Sequence, residues 1–189
     1  MRKIVQFMHV SLDGFVAGPN GELDWIKVDD EIFDYAGDRT DHADTALYGR
    51  VTFGMMEGYW PTAGDQPNAS KHDLHHSKWY NQVEKIVLSK TLRGNFKNTR
   101  IISDNVESEI KKLKQASGKE VIIFGSPGAS HSLMSLGLID ELWVFVNPIL
   151  VGKGIPMFKE IRSTVNLKLL KSHAFKCGVV CLHYERITK

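Results

Sequence analysis

The chain is poor in cysteine. Only Cys177 and Cys181 occur among its 189 residues, four apart in Cys-Gly-Val-Val-Cys. On a strand they face the same side at ~3.3 Å per residue, about 13 Å apart. That is too far for a disulfide, so they read as buried free thiols on a strand. Charge of one sign is also lacking: 24 basic and 22 acidic residues leave a net +2. This balance gives no sign of a nucleic-acid arm or a polybasic membrane surface. Local clusters such as Lys111-Lys112-Leu113-Lys114 lie on a helical pattern and read as a solvated face. No apolar run approaches the ~20 residues of a membrane span. The N-terminus enters a strand pattern directly, without a signal-peptide core. A cytoplasmic protein with neither nucleic-acid nor membrane partners is expected, and the glycosylation triplet Asn68-Ala69-Ser70 then carries no meaning. Internal repeats, linkers and low-complexity segments are absent, as is any Ser-His-Asp or Cys-His arrangement.

What is present suits one domain over residues 1–189, since 42% of the residues are hydrophobic and can build a real core. Lys3 to Val10 reads as a first strand, followed by a long loop, Ser11 to Asp24, rich in glycine and proline. A loop of this length in a compact domain is often functional. The pattern predicts a helix over Trp25 to Tyr35, a short strand at Thr45 to Tyr48, a helix over Val51 to Gly58 and a loop from Tyr59 to Lys71. Strands follow at Lys85 to Ser89 and Arg100 to Ile102. From Asn105 to Ser117 a helix carries Val106, Ile110 and Leu113 on one stripe, with Asp104 and Glu107 spaced as a capping box. A strand at Val121 to Phe124, a helix from Ala129 to Leu136 and a strand at Glu141 to Val146 come next. Leu167 to Ala174 and Val179 to Arg186 close the chain as an antiparallel hairpin. This alternation predicts an α/β fold with a mostly parallel sheet and helices on both faces.

Three strand ends carry groups suited to phosphate. In Val121-Ile122-Ile123-Phe124-Gly125-Ser126-Pro127-Gly128-Ala129-Ser130 a buried strand breaks into a tight loop that opens a helix. Free N–H groups at a helix N-terminus, with small residues around them, make an anion site; a plain strand-to-helix connection is the alternative. In Tyr48-Gly49-Arg50-Val51-Thr52, Arg50 offers a fork of donors and Thr52 a hydroxyl at a second helix start. The third end, Val87-Leu88-Ser89-Lys90-Thr91, adds a cation just past a strand. In open parallel sheets ligands bind beyond the carboxyl ends of strands. Three such ends together would hold a dinucleotide, with Arg50 and Lys90 suited to a 2′-phosphate. An ordinary Rossmann site fits poorly, because the glycine loop comes late and no acid stands ~20 residues after it.

These segments resemble a known family. Ser11-Leu12-Asp13-Gly14-Phe15-Val16-Ala17, Leu47-Tyr48-Gly49-Arg50-Val51-Thr52, Phe124-Gly125-Ser126-Pro127-Gly128, Leu138-Ile139-Asp140-Glu141-Leu142 and Asn147-Pro148-Ile149-Leu150-Val151-Gly152-Lys153-Gly154 occur in the family's order across nearly the whole chain. They are similar to the reductase domain of the bacterial bifunctional riboflavin-biosynthesis deaminase-reductase, within the dihydrofolate reductase-like superfamily. The resemblance implies a three-layer α/β/α sandwich, NADPH as cofactor, a small-molecule substrate and often a homodimer. It places Ala17 and its loop over the nicotinamide, and Gly49, Arg50, Val51 and Thr52 on phosphate. It sets Ser89 and Lys90 at the 2′-phosphate, and Gly125, Ser126, Gly128, Ala129 and Ser130 around the pyrophosphate. No deaminase zinc motif precedes the domain.

The substrate side offers fewer signals. Trp25 and Asp30 reproduce the Trp-x-x-x-x-Asp spacing at which dihydrofolate reductases carry their buried acid, so Asp30 is a candidate proton donor. An exposed acid at a helix start is the competing reading. Phe145 falls where those reductases place a polar threonine. Asp13 reads as loop-shaping first and catalytic second. Met56 and Trp60, with Met55 and Tyr59, either wall a substrate pocket or belong to the core. His72 and His76 could share a helix face, but lack further ligands nearby, so no metal site is expected and solvated histidines are. The leading expectation is an NADPH-dependent reductase of a small heterocyclic or carbonyl substrate, related to the ribosylaminopyrimidine reductase of riboflavin synthesis. The alternatives are dihydrofolate reductase activity, or a nucleotide- or pterin-binding protein without turnover.

Overall fold

Ile4–Ser11 forms strand β1 and Phe15–Ala17 the short β2. Then come α1 (Asp30–Thr40), β3 (Ala43–Gly49), α2 (Arg50–Glu57), the single turn α3 (Trp60–Ala63) and α4 (Lys71–Gln82). β4 (Glu84–Leu88) and β5 (Thr99–Ile102) lead to α5 (Val106–Gln115), β6 (Glu120–Phe124) and α6 (Pro127–Ser135). The chain closes with β7 (Glu141–Asn147), β8 (Ile155–Pro156), β9 (Leu167–Ala174) and β10 (Val180–Arg186). The computed structural model describes residues 1–159, 161 and 163–187.

The main sheet has the order β5-β4-β3-β6-β1-β7-β10-β9; the first six strands are parallel, and β10 and β9 add antiparallel at one end. Central strands are covered on both faces, which is why their sequences read as continuous apolar runs. Ile4, Met8 and Leu47 face α5 and α6, where they meet Ile110, Leu113 and Leu133. Phe7, Ala46 and Tyr48 face the other way, against Ile32 and Ala36 of α1 and Tyr80 of α4. The two-residue period of a strand thus deals one chain into two cores, and the fold is the expected α/β/α sandwich. No helix among the described residues is long and apolar enough to cross a membrane.

Several local expectations give way to specific contacts. The first helix starts five residues later than its apolar pattern suggests, because the Asp29 carboxylate caps it, accepting from the Ile32 amide at 2.9 Å. Trp25 lies in the preceding turn, its indole donating to the Glu22 carbonyl at 3.2 Å. The Asp104/Glu107 capping box does not form. Asn105 opens α5 in the left-handed region (φ 51°), and Asp104 accepts from Ser103 instead. A capping box does form between Ser70 and Asp73, where α4 begins. The segment expected as loop contains α3. Cys181 is buried on β10, but Cys177 sits half-buried in the hairpin turn, not on a strand.

A polar clasp joins three strands at their other end. Glu141 of β7 is buried; its carboxylate accepts from Lys3, just before β1, at 2.5 Å and meets His183 Nε2 of β10 at 2.8 Å. Burial pushes the Glu141 carboxyl up, and the bonds from Lys3 and His183 more than offset this, so it lies below its ordinary value of 4.5. A carboxylate held down in the folded state stabilises fully above its unfolded pKa, and the contribution fades as pH falls through the folded value. Glu141→Gln is therefore expected to lower stability by about 1–3 kcal/mol at pH 7. In urea unfolding at stepped pH, the gap between the two proteins should close below pH 4.5.

Candidate functional site

The carboxyl ends of β3, β4, β6 and β1 finish in one row. Gly49 pairs with Leu88, Leu47 with Ile123, and Phe7 with Phe124. The two glycine turns are therefore neighbours, and the Gly49 amide donates to Ser126 Oγ at 2.5 Å. Gly125 (φ 56°) and Ser126 (φ 61°) both adopt left-handed backbone, a conformation Ser rarely takes. Ser126 is held there by burying its hydroxyl against the other turn. A Cβ at Gly49 would come within 3.2 Å of that hydroxyl, so the close approach needs glycine.

Beyond this row lies a cleft of about 970 Å³. Gly49, Arg50, Val51 and Thr52 line it from the start of α2, and Gly125, Ser126, Gly128 and Ala129 from the start of α6. Neither helix has a side-chain cap, so the first-turn amides keep no intrahelical acceptor. Pro127 occupies a first-turn position whose N–H would be orphaned anyway. A Cβ at Gly128 would meet nothing within 4 Å, leaving open space above the turn. Ser89 and Lys90 line the cleft beyond β4. The Ser89 hydroxyl accepts from the amides of Thr91 (3.2 Å) and Leu92 (2.9 Å), so it also shapes its own turn. The side chains of Arg50 and Lys90 are exposed and take no ion pair or hydrogen bond among the described residues.

The facing wall is built by the long first loop. Ala17 of β2 pairs with Ile155 of β8, and both line the cleft with Gly154. A side chain at Gly154 would overlap the Ala17 carbonyl. His131 of α6 pins β8 by contacting the carbonyls of Pro156 (2.9 Å) and Met157 (3.2 Å). Asp13 shapes the base of this wall: it accepts from Ser11 Oγ (2.6 Å) and from the amides of Val151 (3.1 Å) and Gly152 (2.7 Å). The Ser11 bond, then the amides, hold its carboxyl below the ordinary range.

Not every expected residue joins the cleft. Ser130 is buried beneath it, its hydroxyl 3.4 Å from the Gly125 carbonyl. Met56 lines the cleft, whereas Trp60 packs against His76, the rings tilted with centroids 4.0 Å apart, and points its indole N–H at Met56 Sδ (3.0 Å). Trp25 and Asp30 lie outside it, and Asp30 is exposed at the first position of α1. The lining holds no carboxylate among the described residues. The histidines expected in solvent divide. His76 is buried against Trp60 and Phe124, and that burial pushes it down to about 3, while His72 stacks on Phe33 at 4.1 Å. No group of three potential metal ligands occurs among the described residues.

Sequence reasoning passed over His9 and Asn147. His9 lines the cleft from β1, and its ring stacks on Phe145 at 4.9 Å. Asn147, fully buried at the end of β7, reaches His9 Nδ1 at 3.3 Å. The available signal was a polar residue inside the apolar alternation of β1.

Comparison with known proteins bears on this geometry. An uncharacterised protein of Bacillus subtilis (strain 168), YyaP, is 34% identical over 186 residues, covering 97% of this chain and 95% of that protein. A putative riboflavin biosynthesis protein from Shewanella sp. PV-4 superposes with a TM-score of 0.73 at 22% identity, covering 98% and 99% of the two chains. Dihydrofolate reductase from Enterococcus faecalis, complexed with NADP(H), gives a TM-score of 0.66 at 17% identity over 98% and 97%. The last two likenesses establish the dihydrofolate reductase-like fold. The profile of the RibD C-terminal domain matches residues 2–181, and the chain belongs to that family.

Proposed function

We propose that this protein is an NADPH-dependent reductase of a small heterocyclic or carbonyl substrate. The observation that carries the reading is the rim of the cleft: two uncapped helix N-termini stand side by side with two cations, Arg50 and Lys90, that are unpaired among the described residues. Such a rim suits a diphosphate, because amide donors and aligned peptide dipoles act on the same anion. The open space above Gly128 leaves room for the cofactor's pyrophosphate, and the close contact of Gly49 with Ser126 holds the two turns together beside it. Arg50 and Lys90 would meet the 2′-phosphate, with Ser89 beside them. Ala17 would cover the nicotinamide, held by the β2–β8 pairing.

When bound, reduced nicotinamide supplies hydride; the protein's part is orientation and exclusion of water. Binding both cofactor and substrate suits a cleft of about 970 Å³. The dihydrofolate reductase alternative needs a buried acid in the pocket. The exposed position of Asp30 and the carboxylate-free lining weigh against it, as does Phe145, fully buried beside His9. Asp13, engaged with Ser11 and two amides, suits loop-shaping better than proton transfer. A second copy of the chain is the partner we infer at the sheet's end. There β9 is exposed almost throughout and carries Leu167, Leu169 and Leu170 outward, and like edges pair about a two-fold axis.

Titration by intrinsic fluorescence is expected to show NADPH binding well over tenfold tighter than NADH, a charge-assisted contact of about 1.5–3 kcal/mol. Arg50→Ala should abolish that preference with an unchanged circular-dichroism spectrum. Equal affinities would remove the 2′-phosphate assignment, and no binding of either nucleotide would remove the reductase reading. Light scattering should report a dimer that Leu169→Lys converts to monomer.

A further inference from the structure

Among the polar groups that line the cleft, the imidazole of His9 takes no part in the cofactor rim. Its surroundings determine where its proton sits. Asn147 Oδ1 accepts from the Lys27 amide at 2.9 Å, while Asn147 Nδ2 faces the carbonyls of Phe145 (3.0 Å) and Val10 (3.3 Å) and His9 Nδ1 (3.3 Å). Turned over, the amide would set its oxygen against two carbonyl oxygens and its NH₂ against an N–H. The orientation is therefore dictated by its neighbours. With Nδ2 donating, His9 Nδ1 must accept, and the ring hydrogen sits on Nε2.

Nε2 has no hydrogen-bond partner among the described residues and is not one of their fully buried unpartnered atoms, so it stays open to the cleft. The side chains packed against the ring are Phe145, Phe7 (6.2 Å between centroids) and Asn147, none of them charged at neutral pH. Burial without a charged neighbour pushes the ring down to about 4, so it stays neutral across the physiological range. The cleft thus holds a donor that is fixed in direction, uncharged and unmatched, bordered by the apolar surfaces of Phe7, Phe124 and Met56. His9 is only half-buried, so a ligand that covers its ring in the cleft takes Nε2 from water; a donor buried in that way without an acceptor is costly, and a ligand that supplies one is favoured over an equally shaped ligand that does not.

We propose that His9 Nε2–H is the hydrogen-bond donor to the substrate, reading a carbonyl oxygen or an unprotonated ring nitrogen on a flat, uncharged ring. Asn147 is the positioning residue that holds the tautomer. The word substrate rests on the reductase reading, but the test uses the cofactor-free full-length protein, so failure of either idea is visible separately.

The test is ¹⁵N NMR of the histidine rings, with 2-pyridone and benzene as probes: two flat rings of similar size, of which only the first carries a carbonyl. Expected is an Nε2–H tautomer for His9 that does not titrate between pH 5 and 8, with an Nε2 signal that moves on adding 2-pyridone. His9→Phe keeps a ring against Phe145. It should weaken 2-pyridone roughly fivefold, the worth of one neutral hydrogen bond, and leave benzene binding unchanged. Asn147→Ser, if it folds, should let the ring sample the Nδ1–H tautomer. An Nδ1–H tautomer or a titration in that range in the unaltered protein would overturn the proposal. So would an Nε2 signal indifferent to 2-pyridone, or equal weakening of both probes by His9→Phe.

Discussion

The parallel register of β3 against β6 is the constraint on which both core and cleft depend. Leu47 lies opposite Ile123, so Gly49 and Gly125 leave the sheet at the same height. The Gly49 amide can then reach Ser126 Oγ, and two helix N-termini come to share one rim. A slip of one residue would carry Ala46 and Tyr48 into the face now filled by Leu47, and would stagger the turns. The apolar alternation that sorts these strands into two cores therefore also sets the geometry of the anion rim. Stability and binding share one cause here.

That cause explains which parts were legible in the sequence. The turns at Gly49 and Gly125 combine a short β-branched run with glycine and a helix start, all of it local. The stripe of Val106, Ile110 and Leu113 is local as well, and α5 forms where it predicts. Legibility fails where a distant contact decides. The apolar pair Trp25-Ile26 looks like the first turn of a helix, yet the Asp29 cap moves the start to Asp30. The sequence of α4 is crowded with histidine, lysine and asparagine and shows no clean stripe. It is helical because Ser70 and Asp73 cap it and because His76 and Tyr80 find cover under Trp60 and Phe124 and against Glu57. His9 and Asn147 lie 138 residues apart and meet only through the pairing of β1 with β7.

The cleft is cationic at its rim and free of carboxylates among the described residues, and Asp13 of the first loop has other work. Asp13 couples the first loop to residues 151 and 152, so the wall carrying Ala17 and the loop carrying Gly154 are tied together. Arg50 and Lys90, by contrast, have no acid to neutralise them among the described residues. A rim of this kind suits an anion. It does not itself provide an acid–base pair, which matches chemistry carried by a cofactor rather than by side chains.

Asn147 brings these threads together. A fully buried amide costs free energy unless each of its polar atoms is matched. Here the oxygen takes the Lys27 amide, and the nitrogen serves two strand carbonyls and an imidazole. The loop before α1, strands β1 and β7, and the proton position on His9 are thereby set by one side chain. Because its hydrogens are already claimed, protonating His9 at Nδ1 would force two donors together, so the electrostatics that satisfy the core also keep the ring neutral. The inner surface of the cleft therefore differs in kind from its rim. In the proposed reading the rim takes charge, and the His9 corner takes an acceptor without charge. A ligand that satisfies both must carry its anionic groups at one end and a neutral, flat acceptor at the other.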